Sequence, residues 1–154
     1  MSTPAKLKDI IDALGFQMDE TFQYLNRETG KIEMITREEL EAAETDQMDD
    51  YPKWQSDNIE LAKQIISDTE GKFVELPSKF EINEYEIMES FCYSIPDRKI
   101  SNELAYAIKG SGAFRRFKDR IYEYGLEKQW YQYRDEGLGE IAKDWCKRHQ
   151  IGYE

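Results

Sequence analysis

The chain has 154 residues, of which 40% are hydrophobic and 34% are charged, and its formal net charge is −11. This length and apolar content predict a single domain over residues 1–154 with a buried core. No stretch of about 18 apolar residues occurs, so we expect neither a membrane span nor a membrane partner. The N-terminus lacks the apolar run of a signal peptide, which favours a cytoplasmic protein.

The negative charge is concentrated in the N-terminal half. Residues 1–77 hold 8 Lys or Arg against 18 Asp or Glu, whereas residues 78–154 hold 13 against 14. Within the second half, segment 98–120 contains seven basic and two acidic side chains. An acidic half repels polyanions over a Debye length of about 8 Å at physiological salt. This pattern excludes broad coating by nucleic acid but allows a local anion pocket.

Hydrophobic periodicity predicts a mainly helical α+β chain with a small antiparallel sheet near its N-terminus. Alternating polar and apolar residues around a turn at 27–30 predict a β-hairpin over 21–36. Thr36 and Glu39 stand at capping-box spacing and predict the start of the next helix. In chain order, the predicted elements are a helix over 4–14, strands over 21–26 and 31–36, a helix to about 44, an exposed acidic connection over 45–57, a helix over 58–69 and a short strand over 72–76.

The C-terminal part, residues 78–154, is predicted to be helical. Asn83 and Ser101 each precede apolar residues at helical spacing and are predicted N-caps. Gly137 and Gly139 each cost a helix about 1 kcal/mol relative to alanine, so we predict a break near them. The predicted helices run from 83 to 94, from 101 to 110 and from 113 to 124, with further helices carrying the tryptophans at 130 and 145.

Segment 110–120, with the sequence GSGAFRRFKDR, is the most informative stretch of the chain. It places two glycines and a serine before the basic start of a predicted helix. The first backbone N–H groups of a helix are unpaired and carry about half a positive charge, so they favour anions. We therefore predict an anion site for a phosphate or a carboxylate. Its candidate residues are Gly110, Ser111, Gly112, Arg115, Arg116 and Lys118.

A structural interpretation of the same segment stays open. In it, Gly110 ends one helix, Gly112 lets two helices meet closely, and the charged side chains are solvated or pair with the acidic N-terminal half. Arg115 and Arg116 lie about 100° apart around a helix. The face that holds Phe114 and Phe117 cannot bury both arginines, so at least one arginine is left for a ligand or an acidic neighbour.

Several segments give the chain a family resemblance. They are LPSKFEINEYEIMESFCYSI at 76–95, LAYAIKGSGAFRRFKD at 104–119, WYQYR at 130–134, AKDWCKRHQI at 142–151 and the hairpin YLNRETGKIEMI at 24–35. The chain resembles the bacterial Uncharacterised Protein Family zero-one-five-eight over nearly its whole length, with a looser match in the first 20 residues and at 45–57. The resemblance implies a bacterial protein and carries over no catalytic residue.

Aromatic residues at 130–133 have two interpretations. Trp130, Tyr131 and Tyr133 could stack on bases, as in proteins that bind single strands. They could equally pack one aromatic face of a helix into the core. Tyr131 is the member that we expect outside, and it is the candidate stacking residue.

Signatures of an enzyme are scarce. Cys92 and Cys146 are predicted to be buried free thiols, with a disulfide or a metal site as the alternative, and neither cysteine has a histidine partner in sequence. His149 is the sole histidine, and we expect it on the surface at a helix end. The acidic group at 46–50 has neither the spacing nor the glycine of a metal loop, which indicates a solvated connection. We expect no cofactor and no metal.

These observations lead to a non-enzymatic module that binds an anionic ligand, the phosphate of a nucleotide or of RNA, at segment 110–119. The alternative is a protein-interaction adaptor whose acidic N-terminal half contacts a basic or apolar partner. A carboxylate-based hydrolase is a third interpretation, because Asp and Glu are plentiful.

Overall fold

The computed structural model describes residues 3–45 and 50–154. The chain is mainly helical and carries a small antiparallel sheet near its N-terminus, which confirms the α+β class. It divides into two compact units, Met1–Ser78 with Ala142–Glu154, and Lys79–Ile141. A single domain over 1–154 stays a prediction. The elements are α1 (Leu7–Gly15), β1 (Thr21–Asn26), β2 (Ile32–Thr36), α2 (Arg37–Thr45), α3 (Lys53–Ile66), β3 (Phe73–Glu75), α4 (Lys79–Ile82), α5 (Glu84–Ser94), α6 (Arg98–Ala107), α7 (Ala113–Glu123) and α8 (Glu127–Arg148).

The sheet of the first unit has the order β2-β1-β3, and β1 runs antiparallel to both neighbours. The predicted hairpin is confirmed, with Phe22 opposite Ile35 and Leu25 opposite Ile32. Leu25 and Ile35 are buried in the core, although neither belongs to the alternating apolar positions 22, 24, 32 and 34 that predicted the two strands. The predicted strand over 72–76 is present as β3 and pairs with the other edge of β1.

A buried carboxylate links the sheet to two helices of the first unit. Thr36 Oγ1 accepts from the backbone N–H of Glu39 at 3.1 Å, and Glu39 Oε1 accepts from the backbone N–H of Thr36 at 2.9 Å, so the predicted capping box is confirmed. Glu39 is only 2% exposed, and its Oε2 accepts from the Asn58 side-chain amide of α3 at 3.1 Å. One side chain therefore starts α2 and holds α3 against it.

We expect Glu39→Ala to lower the free energy of unfolding by about 2 kcal/mol, because it removes a cap and leaves two half-buried donors without their acceptor. Urea denaturation measures this change. Glu41→Ala is the matched control, since Glu41 is exposed on the same helix, and we expect it to stay within about 0.5 kcal/mol of the parent. Equal losses in the two variants would contradict the buried link.

The core of the second unit is aromatic. Phe91 of α5, Phe117 of α7 and Trp130 of α8 contact one another edge to face. The Phe117 and Trp130 ring centroids are 4.8 Å apart, and both side chains are fully buried. Phe117 thereby sets which face of α7 points inward, and the residues on the opposite face are left outside.

The start of α6 differs from the sequence prediction. The helix begins at Arg98, one turn before the predicted cap Ser101. Asp97 is the N-cap, and its Oδ1 accepts from two backbone N–H groups of the first turn, at 3.0 and 3.2 Å. The Asp97 carboxylate, directly after Pro96, outcompetes the later serine, which instead donates its hydroxyl to the Cys92 carbonyl oxygen. The predicted cap Asn83 is confirmed for α5.

The predicted break near Gly137 and Gly139 is wrong, because α8 continues from Glu127 to Arg148. A Cβ atom at position 137 would lie 3.3–3.4 Å from side-chain atoms of Ile87 in α5. The glycine therefore lets α5 pack closely on α8, and this packing outweighs the low helix propensity.

The predicted connection over 45–57 is wrong in its last part, since α3 already begins at Lys53. Pro52 stands at the N-cap with extended backbone, and the helix starts at the next residue. Residues 46–49 of this prediction lie outside the described part of the chain, and so do Asp46 and Asp49 of the acidic group.

Candidate anion site at the start of helix α7

The loop between α6 and α7 contains the predicted glycines in backbone conformations that favour glycine. Gly110 has φ +75° and Gly112 has φ +76°, and Gly112 is the N-cap of α7. Among the residues that the structure describes, no side chain caps this helix start. The first intrahelical bond is donated by Arg116 to the Gly112 carbonyl oxygen, so the N–H groups of residues 113–115 point out of the helix end without an acceptor in the described chain.

The Arg116 guanidinium bonds to the loop itself. Its Nε donates to the Ala107 carbonyl oxygen at 2.8 Å, Nη1 to that of Ser111 at 2.6 Å and Nη2 to that of Lys109 at 2.5 Å. A Cβ atom at Gly112 would lie 3.0 Å from Nη1, so the glycine also leaves room for this group. Arg116 thus satisfies carbonyls at the C-terminal end of α6 and holds the loop in shape.

Arg115 points away from the core, one position before Arg116. Its side chain is exposed and makes no hydrogen bond or ion pair with the residues that the structure describes. Lys118 lies one turn further along, and its Nζ is 5.0 Å from the centroid of the Phe114 ring. Tyr122 follows one more turn on and is 73% exposed. We call Phe114, Arg115, Lys118 and Tyr122 the α7 stripe.

The aromatic members of the α7 stripe were missed in the sequence analysis. There Phe114 shares a face with Phe117, but the structure buries Phe117 fully and leaves Phe114 43% exposed. The sequence did contain a signal for the position of Tyr122. It stands seven residues after Arg115 and therefore lies on the same side of a helix.

A groove of about 620 Å³ between α6 and α7 lies on another face of α7. Its Arg120 pairs with Glu123 at 2.7 Å, and its Arg116 is bonded to the loop. Glu103 and Asp119 line the groove with no cationic partner among the described residues. The groove is therefore unsuited to an anion, and the carboxylate-based hydrolase stays a prediction.

The aromatic residues at 130–133 divide between core and surface. Trp130 is fully buried, and the Tyr133 ring packs on Phe91 with centroids 5.3 Å apart. Tyr131 is 49% exposed, which confirms that it is the member left outside. Its role in stacking stays a prediction.

The two cysteines are buried free thiols, as predicted. Burial raises the pKa of the Cys92 thiol to about 11 and also raises the pKa of Cys146. Because the thiolate is the nucleophile, both thiols are inert near neutral pH. In the described ranges, no three His, Cys, Asp or Glu side chains lie close enough together to hold a metal ion.

At about pH 8 we expect Cys92 to react with a disulfide reagent at least about 100-fold more slowly than an exposed cysteine, since its raised pKa keeps the thiol protonated, and Cys146 should also be slowed. The rate should rise with pH up to the region of the Cys92 pKa, about 11. Absorbance of the released thiolate measures the reaction, and the chain unfolded in guanidinium chloride is the control that should react at both sites. Fast native labelling of Cys92 would contradict its burial.

The two adjacent arginines give a second prediction. We expect Arg116→Ala to lower the free energy of unfolding by about 1–2 kcal/mol, because three loop carbonyls lose a charged donor on a partly solvated surface. Arg115→Ala is the matched control and should stay within about 0.5 kcal/mol of the parent. Chemical denaturation of both variants measures the difference. Equal stability of the two variants would show that the bonds of Arg116 contribute nothing to the loop.

Fold and surface together define a small α+β protein with an uncapped helix start beside an exposed stripe of cations and aromatic rings. The sequence model of the Uncharacterised protein family (UPF0158) matches residues 3–153. The chain belongs to this family, so the resemblance is confirmed. Searches of curated proteins and of solved structures found no match. Within the described ranges, no helix combines the length and the apolar character needed to cross a membrane.

Proposed function

We propose that the protein is a non-enzymatic bacterial module of the cytoplasm that binds a phosphate-bearing ligand at the start of α7. The observation that carries this proposal is a helix start with an arginine on its first turn, neither of which meets a capping or pairing side chain in the described part of the chain. The N–H groups of residues 113–115, the Ser111 hydroxyl and the Arg115 guanidinium are the donors, and Lys118 adds charge one turn away.

The chemistry of these donors favours phosphate. A guanidinium binds two phosphate oxygens at once, and the helix start adds unpaired N–H groups and partial positive charge. In this proposal, Arg116 does not contact the ligand; its three bonds to the loop keep Gly110, Ser111 and Gly112 in the conformation that presents the donors.

The test is a thermal melt with sodium tripolyphosphate against sodium chloride of equal ionic strength. A ligand at 100 times its Kd adds about 2.7 kcal/mol of stability, so tripolyphosphate should raise the Tm. We expect Arg115→Ala to weaken binding about tenfold or more, since a charge-assisted hydrogen bond contributes about 1.5–3 kcal/mol. Calorimetric titration of tripolyphosphate gives the Kd of each variant.

Arg98→Ala is the matched control, because Arg98 is an exposed arginine of the same unit that makes no pair in the described chain. It should bind tripolyphosphate as the parent does. Equal weakening in Arg98→Ala and Arg115→Ala would show attraction by net charge alone. A Tm that tripolyphosphate leaves unchanged would contradict the phosphate site.

A second candidate is the interaction adaptor. The observation that favours it is Trp54 on α3, which is 75% exposed and shares its helix with the exposed acids Asp57 and Glu60. Exposed tryptophans are frequent centres of protein interfaces, and the surrounding carboxylates fit a basic partner. For this candidate, tripolyphosphate leaves the Tm unchanged.

A further inference from the structure

We infer that the α7 stripe binds single-stranded nucleic acid, with phosphates on Arg115 and Lys118 and bases stacked on Phe114 and Tyr122. The inference rests on the proposed phosphate site and names the class of molecule to which that phosphate belongs.

Exposure of the aromatic rings is the first support. Tyr122 is 73% and Phe114 43% exposed on a helix whose core face already holds Phe117 and Ile121. Neither exposed ring is needed to complete the core. Base stacking on an exposed aromatic side chain contributes about 1–3 kcal/mol per base and tolerates any sequence.

The order of side chains along the helix is the second support. Positions 115, 118 and 122 follow one side of α7, and position 114 adjoins 118, so two cations lie between two rings on one continuous surface. Tyr122 lies eight positions after Phe114, which is about 12 Å along the axis at 1.5 Å per residue. A short stretch of extended single-stranded nucleic acid spans that distance.

Charge complementarity selects a single strand over a duplex. In the described chain, Arg115 and Lys118 have no carboxylate partner, whereas the whole protein carries a net charge of −11. A duplex engages many phosphates on a broad surface, which this acidic chain repels, and its bases are not free to stack on side chains. Two phosphate contacts on a single strand predict a shallow salt dependence, with a slope of about −1.4 in log K against log salt.

The experiment measures fluorescence anisotropy of labelled short oligonucleotides: single-stranded RNA, single-stranded DNA, the matching duplex and an abasic strand. We expect at least one of the two single strands, RNA or DNA, to bind more tightly than both the duplex and the abasic strand. Tyr122→Ala should weaken binding about fivefold or more, by the stacking contribution of one base. Tyr122→Phe keeps the ring and should bind as the parent does.

Tyr93→Ala is the matched control, since Tyr93 is 71% exposed in the same unit but lies on α5. It should leave oligonucleotide binding unchanged. Titration of each variant with tripolyphosphate separates stacking from phosphate binding, because Tyr122→Ala should retain the tripolyphosphate affinity of the parent and thereby also prove folded.

The outcomes distinguish the two proposals. Equal binding of the abasic strand, a preference for the duplex, or an unchanged Kd in Tyr122→Ala would overturn the stacking inference, while retained tripolyphosphate binding would leave the phosphate site standing. If the parent protein bound neither the oligonucleotides nor tripolyphosphate, both the stacking inference and the phosphate site would be overturned. Comparing the Kd for single-stranded RNA with that for single-stranded DNA shows whether the α7 stripe prefers ribose or deoxyribose.

Discussion

The packing of Phe117 against Trp130 is the constraint on which the candidate site depends. These two buried rings, with Phe91, set the rotation of α7 about its own axis. Once that rotation is set, the 100° step of the helix decides the place of every other residue on α7. The stripe that ends at Tyr122 faces outward because Phe117 faces inward.

Two neighbouring arginines take different tasks for the same geometrical reason. Arg116 reaches back to carbonyl oxygens of the loop, where its charge opposes the negative end of the α6 dipole. Arg115 is turned away from those carbonyls and meets none of the described acceptors. One arginine therefore shapes the loop, and the other is the exposed donor on which the proposed phosphate site rests. The two adjacent arginines thus give the same helix start a loop held by hydrogen bonds and an exposed guanidinium donor.

Because a local basic surface lies on an acidic chain, the length of an anion decides how much repulsion it meets. Screening limits the repulsion from remote carboxylates to about 8 Å at physiological salt, so a small anion at the start of α7 experiences mainly its nearest charges. An extended polyanion reaches beyond that distance and meets the acidic remainder of a chain with net charge −11. The same charge distribution that favours a phosphate or a short single strand therefore opposes a long duplex.

The sequence by itself determined the elements whose signals are local: the hairpin around residues 27–30, the Thr36–Glu39 capping box, and the glycine-rich entry to α7. These follow from backbone preferences and neighbouring side chains, so they can be read without the fold. Tertiary structure decided what depends on distant partners. Ile87 packs closely against Gly137 where α8 continues, loop carbonyls engage Arg116, and the aromatic core leaves Phe114 outside, because packing and hydrogen bonds between elements override local propensity.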